Sequence, residues 1–146
     1  MNRVKRAEVI IHAPSADLFD YLARPANHGL IDGSDTVRQV LVGPERLYPG
    51  AKFRRQMHLL IPYTITNTVV TFQEGREIAW RHSGRHIWRY QLNDVGGGDT
   101  RVTESFEWDR APLRVVYELL GVPNRNLIAI NETLARLKRH FEASAS

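Results

Sequence analysis

The stretch EIAWRHSGRHIWRYQL, residues 77–92, decides the fold. Apolar and polar residues alternate on both sides of a turn at 83–85, which predicts two antiparallel strands. A three-residue turn places Trp80 opposite Trp88 on one face of this hairpin. A two-residue turn would put Trp80 on the same face as Arg89, and burial of that face excludes such a mixture. The three-residue turn is therefore predicted, and its further pairs are His82 with His86 and Ile78 with Tyr90.

A second hairpin, centred on Gly97, continues the same face. Pairing Leu92 with Val102 places Tyr90 opposite Glu104. The further pairs predicted by this register are Trp88 with Phe106 and His86 with Trp108. The inner face of the sheet then carries all three tryptophans, with polar groups among the rings. Its predicted members are Trp80, His82, His86, Trp88, Tyr90, Glu104, Phe106 and Trp108.

The strands before residue 77 extend this face. Phe72 is expected opposite Ile78, and strict alternation then carries the face through Val70 and Thr68. Alternation in the preceding strand adds four more residues, and it brings one charged side chain inward. These residues are Phe53, Arg55, Met57 and Leu59.

The ends of the chain complete the fold prediction. A first strand is predicted at Val4–Ile11. A helix follows it, with Ser15 as the expected N-cap, and a second short helical segment comes next in the chain. After Pro112 the apolar period becomes helical, which predicts a long final helix that 121–123 breaks near its start. The apolar stripe of that helix is Leu127, Ile130, Leu134, Leu137 and Phe141.

These elements predict an α+β protein. A curved antiparallel sheet of about seven strands wraps around the long C-terminal helix, with two short helices after the first strand. The length of 146 residues, with 42% hydrophobic and 25% charged residues, is typical of one globular domain, predicted over residues 1–146. The absence of cysteine excludes disulfides, thiolate metal sites and a cysteine nucleophile.

Location and partners are predicted from charge and hydropathy. The apolar run near the N-terminus is only Val9-Ile10-Ile11, shorter than the roughly 7–15 residues of a signal peptide or the ~20 of a membrane span. We therefore expect a cytoplasmic protein without a membrane span. The net charge of +4 is spread along the chain and interleaved with acids, so we expect no nucleic-acid partner.

Glu104 is the most informative single residue. It interrupts an apolar face, where an unpaired carboxylate is costly. One interpretation is a ligand-orienting group or a general acid/base with a raised pKa, which makes Glu104 and Tyr90 the candidate catalytic residues. The other is a structural carboxylate that Tyr90 or a backbone amide satisfies. The sequence leaves both interpretations open.

Histidines raise the question of a metal site. His82 and His86 are adjacent across the hairpin, but no third ligand is evident, and zinc catalysis usually needs three protein ligands. We predict no metal and no other cofactor, and we place these two histidines at the rim of the pocket. The remaining histidines are expected at the surface or at element ends: His12, His28, His58 and His140.

The order of elements, together with five short motifs, resembles the polyketide cyclase/dehydrase and lipid-transport family, a branch of the START-like superfamily. The motifs are VIIHAP (9–14), DLFD (17–20), PGAKF (49–53), EIAW (77–80) and GDTRVTE (98–104). The resemblance implies a helix-grip fold with a cavity for hydrophobic molecules such as lipids, sterols or polyketides. Similar proteins often carry a tryptophan where this chain reads NHGLID (27–32), so we expect a different pocket entrance.

Three functional hypotheses follow. The first is binding of a small hydrophobic ligand between the sheet and the final helix, and the second is a cyclase/aromatase-type enzyme without metal or nucleotide. The third is a protein-interaction module, which would have a positive patch and a collapsed cavity. The residues predicted to bind the ligand are Phe53, Arg55, Met57, Val70, Trp80, His82, His86, Trp88, Phe106, Trp108, Ile130 and Leu134.

Overall fold

Seven strands form one antiparallel sheet in the computed structural model of the protein. The structure describes residues 3–33, 37–58, 61–83 and 85–143. Numbered along the chain, the strands are β1 (Val4–Ile11), β2 (Val37–Val42), β3 (Lys52–His58), β4 (Pro62–Gln73), β5 (Glu77–His82), β6 (Ile87–Gly96) and β7 (Asp99–Glu107). Their spatial order is β1-β7-β6-β5-β4-β3-β2, so β2 to β7 form a meander and β1 pairs with β7.

The helices lie where the sequence predicts them. They are α1 (Ser15–Leu22), α2 (His28–Ile31), α3 (Arg114–Leu119) and α4 (Val122–Ala143), with a 3₁₀ turn at Pro25–Asn27. None of the helices in the described ranges combines the length and the hydropathy of a membrane span. The α+β prediction, with two short helices after β1 and a long C-terminal helix, is confirmed.

The start of α1 differs from the prediction. Ser15 is the first residue of the helix and its side chain makes no capping bond. Instead, Pro14 is the residue before the helix, with φ −65° and ψ 144°, and its carbonyl accepts the amides of Asp17 and Leu18. The fixed φ of proline sets the direction of the chain at this point, and the expected Ser15 cap is wrong.

The core lies between the inner face of the sheet and the helices. Phe106 and Ile78 are fully buried on the sheet, and the long helix α4 packs against β1 and β7. Ile130, Leu134 and Leu137 form the buried stripe of α4, as predicted. Gly121, at φ 72°, lies between α3 and α4, in the left-handed conformation that glycine adopts without strain.

The predicted register of the central hairpins is confirmed. Trp80 pairs with Trp88 and Tyr90 pairs with Glu104. The backbone amide of His82 donates to the carbonyl of His86, as a three-residue turn requires. The ladder between β6 and β7 ends at Ile87 and Glu107, so the predicted pair of His86 with Trp108 lies beyond it.

A β-bulge in β4 changes the prediction for that strand. Phe72 pairs with Ile78 as expected, but the register shifts between Val69 and Thr71, so Val70 is an extra residue on the outer side. Val69 is 3% exposed, whereas Val70 is 43% exposed. The inward placement of Val70 and Thr68 was therefore wrong, because alternation alone does not reveal a bulge between two adjacent valines. Leu59 lies outside the described residues.

The bulge gives a matched pair of substitutions. Val69→Ala should lower the free energy of unfolding by about 2 kcal/mol, because it removes buried methyl groups and leaves a cavity. Val70→Ala should change it by less than ~0.5 kcal/mol, because Val70 is already 43% exposed on the outer face. Urea unfolding followed by tryptophan fluorescence measures both values. Equal losses, or a larger loss for Val70→Ala, would contradict the bulge.

Candidate functional site

A cavity of about 540 Å³ lies between the inner face of the sheet and α4. Side chains of β3 to β7 form one wall, and α2 and α4 form the other. Pockets that take small organic molecules usually have volumes of roughly 300–1,000 Å³. The space is therefore large enough for a drug-sized ligand.

Aromatic rings form most of the sheet wall. The ring of Trp80 stacks on that of His28 at 4.8 Å, and Phe53 meets Trp80 edge-on at 5.7 Å. Farther along, Trp88 lies 4.9 Å from Phe106. Such a wall offers flat apolar surfaces to a ligand while the rings hold each other in position.

His28 connects α2 to α1 and to the sheet through one hydrogen bond each. Its Nε2 lies 2.7 Å from the carbonyl of Leu22, and its Nδ1 lies 3.1 Å from Nη2 of Arg55. A carbonyl only accepts and a guanidinium only donates, so Nε2 carries the proton and Nδ1 accepts. Burial, together with the Arg55 charge, lowers the pKa of His28 to about 3. The imidazole is therefore neutral near pH 7.

Arg55 is the buried cation of the cavity. It is 4% exposed, and its Nη2 also donates to the carbonyl of Pro25 at 3.0 Å. Burial lowers its pKa to about 10, against the opposing effect of Asp32, so the guanidinium stays charged near pH 7. Its Nε has no hydrogen-bond partner. One N–H of Arg55 is thus free to meet a ligand atom.

Tyr90 and Glu104 lie opposite each other on β6 and β7. Each is 5% exposed, and the Tyr90 hydroxyl lies close enough to influence the ionisation of the Glu104 carboxyl group. The carboxyl oxygen Oε1 of Glu104 is buried and has no partner. An unpartnered buried carboxyl oxygen costs stability, and both side chains line the cavity. A ligand with a hydroxyl or carbonyl group would supply the missing hydrogen bond.

Burial dominates the ionisation of this pair. It raises the pKa of Glu104 to about 8, and the nearby Asp32 adds to that effect, while the hydroxyl of Tyr90 opposes it. Burial, with the Glu104 charge second, raises the pKa of Tyr90 well above its usual range. Near pH 7 most Glu104 side chains are therefore protonated, and the carboxyl group can both donate and accept a hydrogen bond.

His82 and His86 stand at the end of the β5–β6 hairpin. Their rings stack at 4.3 Å, and His86 also packs against Phe106 at 5.2 Å and Tyr117 of α3 at 6.0 Å. Burial, then the proximity of His82, lowers the pKa of His86 to about 3. Both line the cavity. In the neutral state they serve as flat walls with hydrogen-bonding edges.

The mouth of the cavity is marked by lining residues that are exposed. Ile128 of α4 is 72% exposed and Tyr63 of β4 is 42% exposed. The polar pair of Tyr90 and Glu104 is buried by comparison. That pair marks the inner end of the cavity. The exposed part of the lining also includes Arg125, so the mouth carries both apolar and charged side chains.

Comparison with known proteins agrees with this architecture. The family described as polyketide cyclase / dehydrase and lipid transport matches residues 4–142. The chain belongs to this family. The match spans all seven strands and α4, so the family assignment covers the cavity as well as the sheet.

Related sequences and structures extend the comparison. The uncharacterized protein Rv0088 of Mycobacterium tuberculosis is 35% identical over 144 residues, which cover 95% of this chain and 64% of that protein. The chain thus spans about two thirds of the length of that relative. The Zhui aromatase/cyclase of Streptomyces sp. R1128 has a TM-score of 0.69 at 15% identity, covering 100% of this chain and 99% of that one. The protein Ms6760 of Mycobacterium smegmatis has a TM-score of 0.68 at 17% identity, covering 95% and 93%. At these identities the two structures show the fold alone.

Most residues predicted for the site do line the cavity of this polyketide cyclase/dehydrase and lipid-transport family member. They are Phe53, Arg55, Met57, Trp80, His82, His86, Trp88, Tyr90, Glu104, Phe106 and Ile130. Their roles in ligand binding or catalysis stay predictions.

Three predicted residues lie elsewhere. Val70 lies on the outer face of the sheet because of the bulge in β4. Trp108 is buried beyond the end of β7, where its ring stacks on Phe106 and its Nε1 donates to Glu118 at 3.1 Å. Leu134 points into the core one helical turn beyond Ile130. These three do not belong to the cavity wall.

Sequence reasoning missed other members of the wall. His28 was expected at the surface or at an element end, but it is 7% exposed, because α2 turns it onto Trp80 and Arg55. No periodic signal in a four-residue helix predicts such a contact. Asp32, Asn67 and Thr133 also line the cavity, and only Asn67 follows from a sequence pattern, once the bulge is known.

The remaining histidines of the chain are His12, His58 and His140. His12 is exposed and bonds Asp99, with 2.6 Å between Nδ1 and Oδ1, and His140 is exposed on α4. The side chain of His58 lies outside the described part of the chain. Among the described residues, no group of three His, Asp or Glu side chains is placed to hold a metal ion.

The raised pKa of Glu104 predicts a pH-dependent stability. Below its ordinary pKa of 4.5 the carboxyl group is protonated in both the folded and the unfolded protein. Between that value and about 8 the unfolded chain ionises while the folded protein keeps its proton, so this group lowers stability as pH rises. Glu104→Gln removes the effect. The free energy of unfolding of Glu104→Gln minus that of the parent should therefore increase from about pH 5 to about pH 9. The expected increase is ~1.4 kcal/mol for each unit by which the pKa of Glu104 is raised.

Urea unfolding at both pH values measures this difference. The buried histidines are common to both proteins and cancel in the comparison. Glu8→Gln, which removes an exposed carboxylate on β1, is the control and should give a nearly constant difference. A constant difference for Glu104→Gln as well would show that Glu104 keeps an ordinary pKa.

Proposed function

We propose that the protein binds a small, mostly apolar molecule that carries an uncharged hydroxyl or carbonyl group. The observation that carries this proposal is the unpartnered Oε1 of Glu104, buried beside Tyr90 in an aromatic-lined cavity. The apolar part of the ligand would lie on Trp80, Trp88 and Phe106, and its polar group would meet Glu104 and Tyr90.

The preference for an uncharged group follows from the charges around the inner end. Arg55 is positive, and Asp32 lies close enough to affect the ionisation of Arg55, Tyr90 and Glu104. Glu104 is mostly protonated near pH 7. The positive charge of Arg55 and the negative charge of Asp32 therefore offset each other. A ligand carboxylate would be attracted by Arg55 but repelled by Asp32.

The family and the size of the cavity support the same proposal. The family name includes both cyclases and lipid transport, and both activities involve hydrophobic molecules. A protein-interaction module was expected to have a collapsed cavity, and about 540 Å³ of space argues against that alternative. The longer relative in Mycobacterium tuberculosis has further residues, so the activity of a longer protein would be a separate proposal.

Binding is tested with two probes that share a hydrocarbon chain, 1-hexadecanol and palmitate. Native mass spectrometry and tryptophan fluorescence should detect tighter binding of the alcohol, because only palmitate brings a charge to the inner end. Ala129→Phe should weaken binding about tenfold or more, since Ala129 lines the cavity and the larger ring fills it.

Asn131→Phe is the matched control. Asn131 lies on α4 but is exposed and outside the cavity wall, so this variant should bind like the parent. Tighter binding of palmitate would contradict the uncharged-group proposal. Failure of sterols, alcohols and fatty acids alike to bind or to change the fluorescence would contradict ligand binding in this cavity.

Acid–base catalysis of the cyclase/aromatase type is the second candidate. The two candidate catalytic side chains, Tyr90 and Glu104, stand opposite each other on paired strands and both line the cavity. A carboxyl group with a pKa of about 8 is suited to donate a proton to a ligand carbonyl oxygen and to accept one in return near neutral pH. The Zhui aromatase/cyclase shares the fold, which supports this candidate by analogy only.

Conservative variants separate the two candidates. Glu104→Gln and Tyr90→Phe keep the shape of the cavity, so both should retain ligand binding to within about tenfold. If the protein is an enzyme, incubation of the parent with a co-purified or added polyketone changes the mass or ultraviolet spectrum of that molecule. Glu104→Gln should then lower the rate by ~100-fold or more, and a carrier leaves the molecule unchanged.

A further inference from the structure

A second concavity lies on the outer face of the sheet, on the opposite side from the ligand cavity. It occupies about 540 Å³ between β4, the turn that joins β5 to β6, and the segment after β7. The outward bulge at Val70 and the position of Arg110 after β7 close its sides. Its polar members are Thr66, Thr68, Arg81, His82, Ser83, Arg85 and Arg110.

The charges of this concavity are all of one sign. Arg81, Arg85 and Arg110 line it together, no carboxylate does, and none of the three forms an ion pair with any described residue. Elsewhere on the same face, Arg89 is held between Glu77 and Glu107. Three guanidinium groups without a counter-charge give this surface a positive potential that attracts anions.

The backbone conformation of Arg85 belongs to the turn that joins β5 to β6. Arg85 has φ 68°, the one positive φ of a non-glycine residue in the described ranges. Glycine or asparagine would adopt this conformation at less cost, and a glycine stands just before it at position 84. Position 85 is thus occupied by an arginine, although a glycine would adopt the same backbone conformation at less cost. The three-residue hairpin turn accounts for this φ, because such turns place their last residue in the left-handed conformation.

We propose that this concavity binds a phosphate ester. Its charged and polar side chains present many donors: three forked guanidinium groups and three hydroxyls. Guanidinium groups match the oxygens of a phosphate with paired hydrogen bonds, and the absence of carboxylates from the lining favours a group that only accepts. The volume exceeds that of a bare oxyanion, so an ester with an organic part fits better than free phosphate.

His82 provides a way to locate the bound group. Its side chain lines both the outer concavity and the ligand cavity, whereas His28 lines the ligand cavity alone. A phosphate ester in the concavity should therefore shift the ring resonances of His82 and leave those of His28 unchanged. This site is separate from the proposed Glu104 site, and either proposal can fail without the other.

The experiment is a nuclear magnetic resonance titration of the full chain near neutral pH. The probes are glycerol 3-phosphate and inorganic phosphate, with ionic strength held constant by sodium chloride. We expect saturable shifts in the amides of residues 81–85 and Arg110, with tighter binding of the ester. Arg85→Gly and Arg110→Gln should each weaken binding by about tenfold or more. Arg85→Gly should also keep or raise the melting temperature, because glycine relieves the positive φ.

Arg76→Gln is the matched control. Arg76 is exposed at the other end of β5, between β4 and β5, and has no ion pair with a described residue, so its loss removes the same charge elsewhere. Its affinity should stay within about twofold of the parent. Linear shifts without saturation, or equal losses in Arg76→Gln, would mean non-specific ion binding and would overturn the proposal.

Phosphate groups also occur in membrane lipids and in nucleic acids. Two further binding experiments distinguish these partners from a small phosphate ester. The protein is mixed with phosphatidylcholine vesicles with and without phosphatidylglycerol, and with a short single-stranded oligonucleotide. Arginine-dependent binding to either partner, without saturable binding of glycerol 3-phosphate, would overturn the proposal of a small phosphate ester. Saturable binding of the ester alone supports it.

Discussion

Pairing of Trp80 with Trp88 across the β5–β6 hairpin holds the rest of the structure in register. A shift by one residue would exchange the two faces of the strands, so the aromatic wall would enter solvent and the outer charges would enter the core. The three-residue turn prevents that shift, although it requires a positive φ at Arg85. The same register places Glu104 opposite Tyr90 on the next strand.

A second constraint comes from polar groups buried in an apolar space. His28 accepts from Arg55 and donates to Leu22, which ties the short helix α2 to β3 and fixes the tautomer of the imidazole. The carboxyl oxygen Oε1 of Glu104 is buried without a hydrogen-bond partner. The inner end of the cavity is therefore only partly satisfied within the protein. That incomplete satisfaction is what distinguishes this cavity from an ordinary packed core.

The two faces of the sheet have different chemistry because the side chains alternate. Inward residues of β5 and β6 include Trp80, Trp88 and Tyr90, and outward ones include Arg81 and Arg89. His82 stands at the hairpin end, where both concavities meet. The bulge at Val70 sharpens this division, since it brings Asn67 and Val69 inward and turns Val70 toward the outer concavity.

The sequence by itself determined the class of fold, the register of β5 to β7 and the inward placement of Arg55, because alternation, helical period and turn length act over short distances. It also singled out Glu104, since a carboxyl group among rings is visible in the pattern. Only the tertiary structure decided that His28 is buried, that Val70 faces outward and that Trp108 leaves the wall. Those outcomes depend on contacts between residues far apart in the chain, such as Arg55 with His28, and on a bulge that leaves no unique signal in two adjacent valines.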